Sequence, residues 1–232
     1  MKLDYVMKSA VSSEDMELIN AQAKTPLEPE RVYVFAVRLC DNQVDRDFER
    51  FPRKSLERLA ELFVGKAGIF DHSWSAKGQT ARLYKTEVVD EPGQVTWAGD
   101  PLCWLKGYAY MVRTDSNRDL IAEIEGGIKR EISVGCAVAG QVCSICGSQS
   151  GRCTHQKGTV YDGTLCYFSL EDPLDAYEWS FVAVPAQPAA GVVKSKRYGR
   201  PEDPERIPSG GAPGEDTAWQ DEALLELEKM RF

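Results

Sequence analysis

Two groups of residues in this chain are of types and spacings that do chemistry, and they call for different kinds. The first is Cys143-x2-Cys146-x6-Cys153-x-His155, which sets four soft or borderline ligands close together in the chain. Thiolate sulfur and imidazole nitrogen in that number suit a closed tetrahedral zinc site. Gly147 and Gly151 supply the tight turning a small knuckle needs. With all four positions filled by protein, the expected cofactor is one structural zinc per chain and none for catalysis. Cys40, Cys103, Cys136 and Cys166 read as buried thiols, with Cys136 or Cys166 able to replace one ligand.

The second group centres on Ser133 in Lys129-Arg130-Glu131-Ile132-Ser133-Val134-Gly135-Cys136. As a strand, this stretch sends Ile132 and Val134 to one face and Glu131, Ser133 and Gly135 to the other. A nucleophilic serine needs a base within reach and a group that orients the base. Histidine is the usual base because its ordinary pKa lies near neutrality. The chain has two histidines. His155 goes with the cysteines, which leaves His72. The orienting group must then be a carboxylate. Glu178 is the first choice, an acid on an otherwise apolar strand (EWSFVAV) where it calls for a partner. Asp175 is the reserve.

Around these residues the pattern predicts many short strands and few helices. Ser12 or Ser13 caps a helix running to Ala23, and Pro52 to Val64 is amphipathic, stopped at Gly65. A third helix follows Asp115, Ser116 or Asn117 and ends near Glu125. Strands are expected at Arg31–Leu39, Ile69–Phe70, Arg82–Asp90, Val95–Trp97, Leu102–Arg113, around Ser133, at Thr164–Leu170 and at Glu178–Val184. Asp41, Asp45 and Asp47 lie in a polar stretch read as a solvated turn. The fold class is α+β, mostly β. The expected organisation is a peripheral segment at 1–28, one domain at 29–194 with a knuckle-like insertion at 140–165, a Pro/Gly linker at 195–215 and a docking helix at 216–232.

With 232 residues, 43% hydrophobic and 28% charged, a folded core is expected. The net charge of -8 argues against binding to nucleic-acid backbone. No apolar run has membrane-spanning length, and Met1–Val6 lacks the core of a signal peptide, so a cytoplasmic protein with no membrane partner is expected. An odd count of seven cysteines favours metal or free thiols over a disulfide framework.

The order of FDHSW, EISVG and EWSFVAVPAQPAA, preceded by DNQVDRDFERF, resembles the prohead (capsid-maturation) serine proteases of tailed phages, relatives of the herpesvirus assemblin proteases. The likeness spans about residues 31–194. It implies a small β-barrel flanked by helices. It also implies an endopeptidase with His72 and Ser133 at the family's catalytic positions, and the third position carried onto Glu178, although assemblins use a second histidine there. The implied substrates are the scaffold protein, the scaffolding segment of the capsid protein and the protease itself, inside the immature capsid in the host cytoplasm. Oxyanion donors are sought near Ala186 and Gln187. The family pattern gives no reason for the cysteine cluster. A non-catalytic shell component and a zinc-stabilised adaptor acting through the C-terminal helix are the rival readings. Whether the chain forms a homo-oligomer stays open.

Overall fold

Apolar residues at alternate positions build the largest element, an eight-stranded mixed sheet seen in the computed structural model, which describes residues 11–193. The expected linker at 195–215 and helix at 216–232 lie outside the described residues. In chain order the elements are α1 (Ser13–Gln22), β1 (Val32–Asp41), β2 (Glu49–Arg50), α2 (Arg53–Phe63), β3 (Ala67–Phe70), β4 (Ala81–Val95), β5 (Pro101–Val112), α3 (Arg118–Glu125), β6 (Ile132–Cys143), β7 (Val160–Tyr161), β8 (Thr164–Leu165), β9 (Phe168–Phe181) and β10 (Gly191–Val193). The sheet order is β10-β1-β5-β4-β3-β9-β2, with β6 paired to β9, and β7 and β8 form a separate hairpin. Among the described residues no helix is long and apolar enough to cross a membrane.

The strand β9 is the spine. Its whole length pairs antiparallel with β6, from Ile132 opposite Phe181 to Cys143 opposite Phe168. Its other edge takes β3 in parallel at Gly68–Phe70 and β2 in parallel at Glu49–Arg50. Between β2 and β3 the chain crosses as α2, whose Leu56, Leu59 and Phe63 are fully buried. Ser55 Oγ fixes that helix by donating to Leu170 O at 2.8 Å. The stripe read from the sequence is thus the core face of α2, joined there by Trp179, Phe181 and Ile132. Trp179 lies against the bare Cα of Gly68, where a Cβ would collide with the indole.

Three features depart from the sequence reading. Separate strands are predicted at Thr164–Leu170 and Glu178–Val184, yet β9 runs through the stretch between them as one strand. Its register against β6 shifts between Gly135 and Cys136 and again between Ala137 and Val138. These bulges place Tyr177 and Leu174 as extra residues on β9, with Pro173 beside the second one. The closed barrel is not formed either. Among the described residues the open edges of β6 and β10 are joined by the bridge Glu131–Gly191, with Val192 N–H donating to Arg130 O at 2.7 Å, and not by a continuous ladder. Beyond it β6 follows the bulged, bent β9 instead of β10. Lastly, α1, expected to be peripheral, packs Met16 and Ile19 against Val32, Tyr84 and Tyr110.

The acidic loop after β1 is also no solvated turn. Asp41, Asn42 and Asp45 are buried. The Gln187 side chain clamps Asp41, accepting its N–H at 2.6 Å and donating to its carbonyl at 3.1 Å. Asn42 bonds Pro101 O and the Cys103 N–H, while Asp45 Oδ1 accepts the N–H groups of Asp47 and Glu49, both at 2.9 Å. Burial pushes the Asp45 carboxyl up to about 7, against the lowering effect of those bonds. Arg46 ties the loop to the segment after β9 through Pro185 O and Ala186 O. DNQVDRDFERF and PAQPA, separate in sequence, are therefore one packed unit.

Candidate active site and metal centre

One end of the β6–β9 ladder gathers Ser133, His72 and Glu178. Ser133 sits opposite Ser180, and Gly135 opposite Glu178. Directly paired strand residues share a face, so Ser133, Gly135, Glu178 and Ser180 all point away from the core that takes Trp179 and Phe181. Strand alternation along Glu178-Trp179-Ser180-Phe181 puts these side chains where they are found. Glu178 and Ser180 are nonetheless buried, at 5% and 0% exposure.

His72 reaches this face from the end of β3 through a tight turn. Asp71 and His72 both have positive φ, 50° and 51°. Consecutive non-glycine residues in that region cost on the order of 1–2 kcal/mol each. The turn is held by three hydrogen bonds: Asp71 N–H to Phe181 O at 3.0 Å, Ser73 N–H to Phe70 O at 2.9 Å, and His72 N–H to Ser180 Oγ at 3.0 Å. Curled back in this way, the imidazole lays Nδ1 2.7 Å from Glu178 Oε1. The other carboxylate oxygen, Oε2, accepts the Ser180 hydroxyl at 2.6 Å.

Glu178 Oε1 overhangs β6. A Cβ on Gly135 would fall inside contact distance of that oxygen, so the glycine leaves the space the carboxylate fills. The imidazole is bound to an oxygen above β6, two residues along the strand from Ser133, a rise of about 6.6 Å. Nδ1 faces Glu178 and Nε2 is left for another partner, on a ring that is 42% exposed. Among the described residues the half-buried Ser133 hydroxyl makes no hydrogen bond. In substrate-free enzymes the bond from nucleophile to base is often long and tightens only in the complex. Asp175, the reserve carboxylate, is engaged elsewhere, in an ion pair with Lys66 at 3.1 Å.

Two exposed aromatic side chains frame the pair. Trp74 follows His72 by two residues, and the bulged Tyr177 precedes Glu178. Their rings meet at 5.4 Å between centroids, with Trp74 75% exposed. The sequence reading passed over both, and over Ser180, although the alternation of β9 had already put Ser180 beside Glu178.

The opposite end of the ladder carries the cysteines. The ligand atoms of Cys143, Cys146, Cys153 and His155 all lie within 4.8 Å of one another, so the group can hold a metal ion. His155 Nδ1 is 3.8 Å from Cys143 Sγ and 3.3 Å from Cys153 Sγ, and Cys146 Sγ is 3.5 Å from Cys153 Sγ. A tetrahedron with metal–sulfur bonds of about 2.3 Å and a metal–nitrogen bond of about 2.0 Å has edges of roughly 3.5–3.8 Å. The donor set and spacing fit such an ion. Cys143 ends β6, and the turn after it closes with Gly147 N–H donating to Cys143 O at 2.9 Å, Gly147 itself having φ 69°. Hydrogen bonds from Ser148 lead the causes that hold the exposed Cys146 thiol down at about 6. Desolvation pushes Cys153 up to about 11. The ring of Tyr161 packs edge-on against His155 at 4.6 Å. Cys166 lies beside the group, 3.8 Å from Cys143 Sγ, whereas Cys136 sits in mid-ladder opposite Ala176 and cannot substitute for a ligand. The knuckle leans on the loop after β1: Gly158 lies against the Phe48 ring, and Lys157 Nζ pairs with Glu49 at 2.7 Å.

Compared with family models, curated proteins and solved structures, the chain matches none.

Proposed function

We propose that this protein is a serine endopeptidase of capsid maturation, of the kind its motifs resemble, with an assemblin-like fold opened at one seam. The observation that carries the reading is the bond from His72 Nδ1 to the buried Glu178 carboxylate, made on the strand face that also bears Ser133. With Nδ1–H donated to Glu178, the neutral imidazole has its lone pair on Nε2, the tautomer a general base requires. Ser133 Oγ bonds to the scissile carbonyl carbon as its proton passes to Nε2. The imidazolium, stabilised by Glu178, gives that proton to the leaving amine as the C–N bond breaks. Water then repeats the cycle on the acyl-enzyme and frees Ser133. Ala186 and Gln187 are the expected oxyanion donors. Among the described residues their N–H groups donate no hydrogen bond, and the segment runs next to the start of β6, where Ile132 N–H meets Ala190 O. Trp74 and Tyr177 offer apolar contact to an extended polypeptide.

Scaffold protein, the scaffolding segment of the capsid protein and the protease's own tail are the proposed substrates, met inside the immature shell. The Cys3His group holds structural zinc in this reading, since Cys and His ligands in a closed set of four are what zinc accepts. A fluorophosphonate probe tests the nucleophile. It should label Ser133 alone, as read by peptide mass spectrometry, and Ser133→Ala should stay unlabelled and leave co-expressed scaffold and capsid protein uncut. Normal processing by Ser133→Ala would end the proposal.

A further inference from the structure

Among the described residues of the candidate catalytic face, Ser180 is the one polar side chain with no exposure, and none of the three assigned roles falls to it. Its hydroxyl has one proton and two lone pairs. The proton goes to Glu178 Oε2 at 2.6 Å, because a carboxylate only accepts. A lone pair takes the His72 backbone N–H at 3.0 Å, because an amide only donates. With the bond from Glu178 Oε1 to His72 Nδ1, a closed ring results: hydroxyl, carboxylate, imidazole, main chain and back to the hydroxyl. The histidine is thereby gripped twice, by its ring and by the backbone of its own strained turn, at φ 51°. The second grip keeps the first in register. Ser180 itself is no nucleophile, since its proton is committed and water cannot reach it.

Resting on the assignment of Ser133, His72 and Glu178 as a triad, we propose that Ser180 is a positioning residue that fixes the tautomer and placement of the His72 imidazole. It does so by orienting the Glu178 carboxylate and by anchoring the left-handed turn that delivers the ring. Without the hydroxyl, Glu178 can rotate, Nδ1 loses its fixed acceptor, and the neutral ring populates the form with its proton on Nε2, which cannot accept from Ser133.

The test uses the full chain and two readouts. The rate of Ser133 labelling by a fluorophosphonate should fall roughly 10- to 100-fold in Ser180→Ala, within the range a positioned proton acceptor contributes. The tautomer of His72 is read by nitrogen-15 NMR in a Ser133→Ala background, where only two histidines contribute and His155 belongs to the cysteine cluster. A single Nδ1–H form should give way to a mixture when Ser180→Ala is added. Ser180→Thr, which keeps donor and acceptor, should return labelling to within about three-fold and restore the single tautomer. Unchanged labelling and tautomer in Ser180→Ala would overturn the proposal. So would a Ser180→Thr protein as impaired as Ser180→Ala, which would assign the loss to packing. If Ser180→Ala does not fold, Ser180→Cys, with a weaker donor in similar volume, should label at an intermediate rate, and a wild-type rate would count against the proposal. The NMR arm needs no activity. A tautomer shift in a protein whose Ser133→Ala variant still processes shells would discard the protease reading and leave the ring of bonds standing.

Discussion

The two ends of the β6–β9 ladder solve the problem of holding a few side chains in place by opposite means. At the Cys143 end the candidate ligands are neighbours in sequence, the backbone turns on glycine, and a metal ion, which the four side chains can hold, would supply the binding energy. At the Ser133 end the partners come from three separate strands or strand ends, and one of them stands on left-handed backbone. There the cohesion comes from the β ladder and from hydrogen bonds to one buried carboxylate. A site of the first kind can fold or melt by itself. A site of the second kind exists only when the sheet does.

The sharpest break of this contrast is at the base. If His72, Ser133 and Glu178 form the proposed triad and act as a unit, His72→Ala should lower processing by roughly 10⁴-fold or more, and Ser133→Ala/His72→Ala should be no worse than either single variant. Additive losses, measured as cleavage rates of the scaffold protein, would show independent roles. Glu178→Gln should cost less, on the order of 10²–10⁴.

Gly135→Ala separates function from fold at the same end. The added methyl needs the space held by Glu178 Oε1, so the carboxylate must leave His72 or Ser180. Labelling of Ser133 should drop about 10- to 100-fold, the scale of losing an oriented base, while the melting temperature holds or rises, since alanine suits a strand interior better than glycine. A large fall in melting temperature would show that the crowding is paid in the sheet and not in the side chain.

The metal end should respond the other way. Chelation, or Cys146→Ser, should release amide exchange protection over residues 140–165 and leave the ladder from Ile132 to Ala139 protected. Ser133 lies ten residues from Cys143, about 33 Å along the strand. Its labelling should therefore change less than about ten-fold, much less than in the site variants. Loss of protection at Ser133 with the metal would merge the two ends into one cooperative unit. Metal analysis of protein purified without chelator should find about one zinc per chain.

The smallest effect concerns pH. Asp45 titrates near 7 when folded, above its ordinary value of 3.8, chiefly through burial. Between those values the folded chain binds the extra proton, so this group's contribution to stability falls as pH rises from about 4 to about 7. Asp45→Asn keeps an acceptor for the Asp47 and Glu49 N–H groups and removes the titration. Its stability relative to the parent should grow by about 1–3 kcal/mol from pH 5 to pH 8, discounted for partial solvation. Parallel curves in chemical denaturation would refute that assignment.

How much of this was legible in the sequence follows the same division. The cysteine cluster could be read from spacing alone, because its geometry is local. His72, Ser133 and Glu178 were reached by elimination: a second histidine tied to cysteine, a strand alternation, an acid in an apolar strand. Their meeting depends on β3 and β6 flanking β9, which no local pattern encodes. The buried Asp41 and Asp45 were misread because acid-rich stretches are usually solvated, and the partner that buries Asp41, Gln187, lies 146 positions away. The barrel seam was misjudged for a related reason. Strand count is a sequence property, whereas closure depends on the bend introduced by two bulges.

That bend can be expressed as arc length. Two paired strands that share both ends should be equally long if they run straight, yet β9 uses 14 residues to cover what β6 covers in 12. The surplus behaves like the longer rail on the outside of a curve. Because each extra residue is absorbed where it stands, deleting Leu174 would leave Ser133 opposite Ser180, Gly135 opposite Glu178 and Cys143 opposite Phe168, and simply equalise part of the track. The ladder would straighten, and the knuckle would swing through an angle relative to the serine without either end being touched. The distance between the two ends is therefore adjustable by chain length alone, a one-residue change in a strand acting as a change in curvature.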